Sequence, residues 1–194
     1  MKTLPAAVVM MALCASVAHA DDLSIDVDLP AVSADGKTIA LPLYYDESAD
    51  FLTKSHDVVF APVGKADGKR LVIYKNRYIG VGPKPTSAAT QKFPANVEAV
   101  NNDLAKGRFD KTGFSVVSDR ATLDDNVELE VTGQESASLA IKVLRKGKRV
   151  GKRDLVGTNL QALIATKVRK FVYVQVRDSQ EKGTQVTWYA IAIK

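Results

Sequence analysis

Val127-Glu128-Leu129-Glu130-Val131-Thr132-Gly133, followed by Leu139-Ala140-Ile141-Lys142-Val143-Leu144 and by Arg149 to Leu155, carries the pattern that decides the fold. Val127, Leu129 and Val131 alternate with Glu128 and Glu130. A period of two between apolar and charged side chains belongs to a strand with one face in the core and the other in water. Lys146-Gly147-Lys148 is a turn signal between the second and third runs, which predicts a hairpin.

The same texture extends in both directions. Phe114 to Val117 precedes these runs, and Val168 to Arg177 and Thr184 to Ile193 follow them. In the last run Tyr189, Ile191 and Ile193 alternate with Trp188, Ala190 and Ala192. Short strands separated by polar turns predict a β-sandwich over 111–194. Thr158 to Lys167 stays open, because Leu160, Leu163 and Ile164 also suit a helical turn. Val127 to Gly133, the Ile141 to Val150 hairpin, and Phe171-Val172-Tyr173-Val174-Gln175-Val176-Arg177-Asp178 before a terminal strand resemble bacterial immunoglobulin-like or fibronectin-like domains. The Cys–Trp–Cys arrangement of antibody domains is absent, so the resemblance implies an architecture and no activity.

Upstream, Leu23, Ile25, Val27 and Leu29 alternate with Asp22, Ser24, Asp26 and Asp28, which predicts an edge-like strand ended by Pro30. Carboxylates along one flat face do not converge on a single ion as a looped oxygen cage does, so the row reads as solvation rather than as a calcium site. Asp35-Gly36 and Asp67-Gly68 each precede an apolar run and predict hairpin turns with positive φ. Gly80, Gly82, Pro83, Pro85 and Pro94 mark a loop. Val97, Val100 and Leu104 then give a short helix near 95–106, with Pro94 suited to its first turn and Gly107 to its end. The expected organisation is a signal peptide over 1–20, a hairpin-rich unit over 21–81, a linker and helix over 82–110, and the sandwich over 111–194. The fold class is all-β with one short helix.

The first residues supply an address. Lys2, an uncharged and largely apolar run from Thr3 to Val17, and Ala18-His19-Ala20 before Asp21-Asp22 form a Sec signal with cleavage after Ala20. This implies a periplasmic or secreted protein. Cleavage leaves 174 of the 194 residues and removes Cys14. The mature chain then has no thiol for a disulfide, a nucleophile or a metal. Leu13 before Cys14 replaces the small residue of a lipobox, and no later apolar run approaches the ~20 residues of a membrane span.

Charge is distributed unevenly. Nine acidic residues face Lys37 and Lys54 between Asp21 and Phe60, whereas Lys142 to Lys170 holds ten cations against Asp154 alone. Seven of those ten, Lys142, Arg145, Lys146, Lys148, Arg149, Lys152 and Arg153, are the candidate site for an anionic partner. Cations also blunt exposed strands against aggregation, and that role stays open beside the first. The partner classes are a protein or an anionic envelope polymer. Nucleic acid is disfavoured because no aromatics are interleaved with the run.

Catalytic signatures are weak. After cleavage His56 is the only histidine, which is too few for a zinc site in a chain without cysteine. Side chains at Ser55 and Asp57 point away from His56 on a strand, so adjacency builds no triad. Two carboxylate clusters remain as glycosidase-type candidates: Asp46, Glu47 and Asp50 beside Tyr44 and Tyr45, and Asp124-Asp125. No cofactor, metal or catalytic set is assigned. The reading is a non-catalytic binding or adaptor module. Its alternatives are an envelope hydrolase using Asp/Glu or His56, and an assembly factor or inhibitor that pairs through the Leu23 to Leu29 strand.

Overall fold

The computed structural model describes residues 24–47, 53–79, 86–124, 126–180 and 183–194, with main chain alone for 44–47, 53–55, 74–79, 86–91 and 183. The N-terminal sheet consists of β1 (Ala31–Val32), β2 (Thr38–Glu47), β3 (Thr53–Pro62), β4 (Lys69–Ile79) and β5 (Thr86–Lys92). Helix α1 (Pro94–Gly107) and the short β6 (Asp110–Lys111) follow. The C-terminal sheet runs β7 (Ser115–Val116), β8 (Arg120–Asp124), β9 (Val127–Thr132), β10 (Ser136–Arg145), β11 (Lys148–Val168), β12 (Phe171–Gln180) and β13 (Gly183–Ala192). The strand path is antiparallel and mostly sequential, β5-β4-β3-β2-β13-β12-β11-β10-β9-β8. The fold is therefore all-β with one helix. Its two sheets, of five and seven strands, meet where β2 and β13 share the registered pair Thr184↔Asp46.

The N-terminal sheet is covered on both faces, which explains the unbroken apolar run Val58-Val59-Phe60-Ala61 on β3. Val58 and Phe60 join Ala40, Val100 and Leu104 beneath α1. Val59 and Ala61 turn the other way, with Ile39 and Leu41, to meet Val168, Tyr173 and Trp188 of the C-terminal half. Polar contacts fasten that seam. The Trp188 Nε1–H donates to the Pro42 carbonyl at 2.6 Å, and the Gly64 amide donates to the Tyr173 hydroxyl at 2.6 Å. A third cluster, from Leu129, Ile141 and Val143 to Val174 and Ile191, fills the interior of the C-terminal sheet.

Several sequence expectations change in the structure. The 24–29 segment alternates between exposed and half-buried as expected, but it pairs with no strand. It lies along α1, where Asn101 accepts the Asp26 amide and donates to the Ser24 carbonyl. Ile25, Val27 and Leu29 pack under the same helix, so the apolar face is spent on helix packing and the ladder never forms. The expected loop from Gly80 to Pro94 contains β5, which pairs with β4. Helix α1 docks on the N-terminal sheet through Val100 and Leu104, and Asn96 bonds the Val72 carbonyl.

Two glycines serve close approach rather than turn geometry. Gly68 has no positive φ, and a Cβ there would lie 2.1 Å from the Phe60 carbonyl oxygen; positive φ in that connection falls on Gly64 (φ 100°). Gly107 is the last helical residue, and the left-handed cap is Arg108 (φ 47°). A Cβ at Gly107 would meet the Phe109 ring at 2.4 Å, the ring that packs edge-on against Phe60. The ambiguous 158–167 stretch is strand. Strand β11 ladders first with β10 and then with β12, changing partner near Leu160.

Asp178 secures that change of partner. Its Oδ1 accepts the amides of Thr158 and Asn159, both at 3.0 Å, and its Oδ2 accepts Gln180 Nε2 at 3.1 Å. Burial alone would raise its pKa, but the Asn159, Gln180 and Thr158 donors outweigh burial and leave the carboxyl below the usual range. A depressed folded pKa stabilises above the ordinary carboxylate range and loses that stabilisation as pH falls through the folded value. Asp178→Ala is expected to cost about 1–2 kcal/mol at neutral pH. The urea midpoint of the variant should fall less steeply with acidification than that of the parent. Equal acid slopes would remove Asp178 from the acid response.

Candidate binding groove

The β10–β11 hairpin turns through Lys146 (φ 50°) and Gly147 (φ 73°), between the paired residues Arg145 and Lys148. Two successive positive φ values give a two-residue turn whose twist matches the flanking strands. The register then divides the seven candidate cations. Lys142 pairs across to Glu130 on one side and Lys152 on the other. Glu130 accepts Lys142 Nζ at 2.5 Å and meets Arg120 at 3.6 Å, while Lys152 reaches Asp154 at 2.7 Å. The Lys142 ammonium holds the Glu130 carboxyl below its usual range. Lys142 thus belongs to a cross-strand ion ladder, and Lys152 to a pair within its own strand, both of the kind that contributes little net stability.

At the hairpin tip, Arg145 and Lys146 border a cavity of about 320 Å³ with Asn126 and the Asp124–Lys167 pair, whose charged atoms are 2.9 Å apart.

A larger groove opens beside the hairpin, where β11 passes β13. Arg149, Lys152, Arg153 and Lys194 line it over a floor that includes Gly151, Ile191 and Ala192, with a volume of about 610 Å³. No Asp or Glu side chain lines it among the described residues. The Arg153 guanidinium lies 5.1 Å from the Tyr189 ring centroid, a separation at which a cation is attracted by the ring face. Gly151 marks a close approach of the strands: a Cβ there would lie 2.8 Å from the Ala192 carbonyl oxygen. Opposite Val143 and Leu144 the register skips Val150, the extra residue of a bulge, and the Val150 carbonyl accepts the Lys194 amide at 2.9 Å. The arrangement can hold an anion over an apolar floor.

Of the seven sequence candidates, the groove gathers Arg149, Lys152 and Arg153. Arg145 and Lys146 lie at the hairpin tip, Lys142 lies in the ion ladder, and Lys148 opposes Arg145. Sequence reasoning missed Gly151, Tyr189 and Lys194. The alternation of the last strand put Tyr189 and Ile191 on one face, but only the change of partner along β11 brings Arg153 over that face.

The hydrolase candidates fall on β2, β3 and β8, and the main-chain register sets Asp46 diagonally across from His56. His56 is exposed on β3, opposite Tyr44 and Tyr74. Desolvation lowers its pKa, and the Asp57 charge opposes the shift. Asp57 is buried, and its carboxylate accepts both Nε and Nη2 of Arg70. Asp46 and Glu47 stand opposite Lys54 and Thr53 in the main-chain register, and Asp50 and Asp125 lie outside the described residues. Bonding from Lys167 and the Asn126 amide keeps Asp124 ionised, the wrong state for a general acid. Among the described residues no three His, Cys, Asp or Glu side chains are placed to hold a metal, and no helix is long and apolar enough to cross a membrane.

Comparisons with protein-family models, curated proteins and solved structures returned no match.

Proposed function

We propose that the protein is an exported, non-catalytic binding module of the cell envelope or secreted fraction, and that it holds an anionic partner in the β11–β13 groove. The observation that carries this reading is the union of Arg149 and Arg153 over an apolar floor with no acidic side chain lining it among the described residues. Local cationic potential of this kind concentrates anions and makes binding depend on salt. Export rests on the residues of 1–20, and it predicts a mature N-terminus at Asp21.

The double reversal Arg149→Glu with Arg153→Glu should weaken retention on anionic envelope fractions at least tenfold and flatten its dependence on salt, as read by co-sedimentation across a salt series. Reversal of Lys142, already neutralised by Glu130, should do much less. Unchanged retention in the groove variant removes the groove from function.

A further inference from the structure

Resting on the reading of the groove as a binding surface, we propose that its occupant is an extended acidic peptide segment that adds as a strand to the outer edge of β11. Among the described residues β11 is laddered on one side only between Lys148 and Leu155, by β10; β7 reaches it at Ile164 and Ala165, and β12 from Leu160 onward. A strand with a single ladder presents main-chain donors and acceptors along its other side. One acceptor is already engaged. The bulge residue Val150 takes the Lys194 amide, so the chain's own end occupies the edge there and leaves Lys152 to Leu155 as the stretch for an added strand.

The walls favour a polypeptide over a polyphosphate. An extended chain points its side chains alternately to two sides. Apolar residues at every second position can cover Ala190 and Ala192, while the carboxylates between them reach Arg149 and Arg153, whose planar guanidinium groups bind carboxylates in fork geometry. A polyphosphate offers neither apolar groups for that floor nor N–H groups for a strand edge. Charge also decides against a second copy of this chain. Two such edges would set Lys148, Arg149, Lys152 and Arg153 against one another, and like charges directly across a ladder repel. The side chains that bar self-pairing are the ones that select an acidic strand.

The test titrates the purified protein, produced from the full chain, with a synthetic octapeptide of alternating Asp and Val. Two further versions are N-methylated at the odd or the even positions, and inorganic polyphosphate of matched charge completes the set. A strand directs successive N–H groups to opposite sides, so one methylated phase should bind at least tenfold more weakly than the parent peptide while the other binds nearly as well. Arg149→Glu with Arg153→Glu should weaken the parent peptide and the tolerated phase alike. If both methylated phases or polyphosphate bind as tightly as the parent, strand addition is wrong and the cationic groove stands. Binding by none of the probes overturns the peptide proposal. If, in addition, the reversed variant keeps its retention on envelope fractions, the groove reading falls with it.

Discussion

Trp188→Ala should lose about 3–5 kcal/mol of stability, the cost of removing a buried large aromatic side chain together with the cavity it leaves. Trp188 is 3% exposed and packs with Ile39, Leu41, Val59 and Tyr173, so its ring belongs at once to the core of β13 and to that of the N-terminal sheet. Val168 and Tyr173 share that core, and the Gly64 amide donates to the Tyr173 hydroxyl across the seam. Among the described residues β2 and β13 share the ladder pair Thr184↔Asp46, so main-chain pairing and the Trp188 cluster both join the halves. A loss of this size is a large share of the ~5–15 kcal/mol that stabilises a typical domain. Urea unfolding followed by far-ultraviolet circular dichroism gives the measurement, since the variant lacks the single tryptophan. Trp188→Phe separates packing from hydrogen bonding. It keeps a ring in the seam and gives up the Nε1–H bond, and the Pro42 carbonyl retains Gln175 Nε2 at 3.2 Å. Its cost should be near 1 kcal/mol. A loss below that for Trp188→Ala would mean that the halves fold without the seam.

Leu104→Ala comes second, at about 2–5 kcal/mol. Leu104 is fully buried, beside Val100 and across from Val58 and Phe60. The exposed Glu98 on the opposite side of the helix is the control, and Glu98→Ala should change stability by less than about 0.5 kcal/mol. A helix acting only as a linker between two sandwich halves would tolerate both substitutions. A helix that completes the N-terminal core tolerates only the second. Equal urea midpoints for the two variants would detach α1 from the sheet.

The elements were largely legible in the chain, because their signals are local. Alternation in Val127 to Val131 and in Tyr189 to Ile193, the turn at Lys146-Gly147, and the 97/100/104 stripe need no knowledge of distant residues. Their failures were also local signals, which a partner elsewhere overruled. Leu23 to Leu29 has the periodicity of a strand, yet periodicity reports which side is buried and not what buries it. Here a helix does so. The Gly- and Pro-marked stretch before the helix carries the signals of a loop, and β4 recruits its second part as a strand. Thr158 to Lys167 carries apolar spacing suited to either structure, and pairing with β12 decides it.

The candidate site divides along the same line. The sequence by itself determined a cationic hairpin, its turn, an all-β class with one helix, and the scarcity of histidine and thiol that argues against familiar catalytic sets. It could not rank the seven cations, because rank depends on which carboxylate stands across the sheet. Lys142 meets Glu130 from a neighbouring strand, and Lys152 meets Asp154 two residues along the same one. Arg149 and Arg153 instead face a groove whose other wall, Tyr189 to Lys194, lies some forty residues downstream. Only the tertiary structure brings those walls together, since strand periodicity is a short-range property of the chain and the meeting of β11 with β13 follows from long-range packing of the core beneath them.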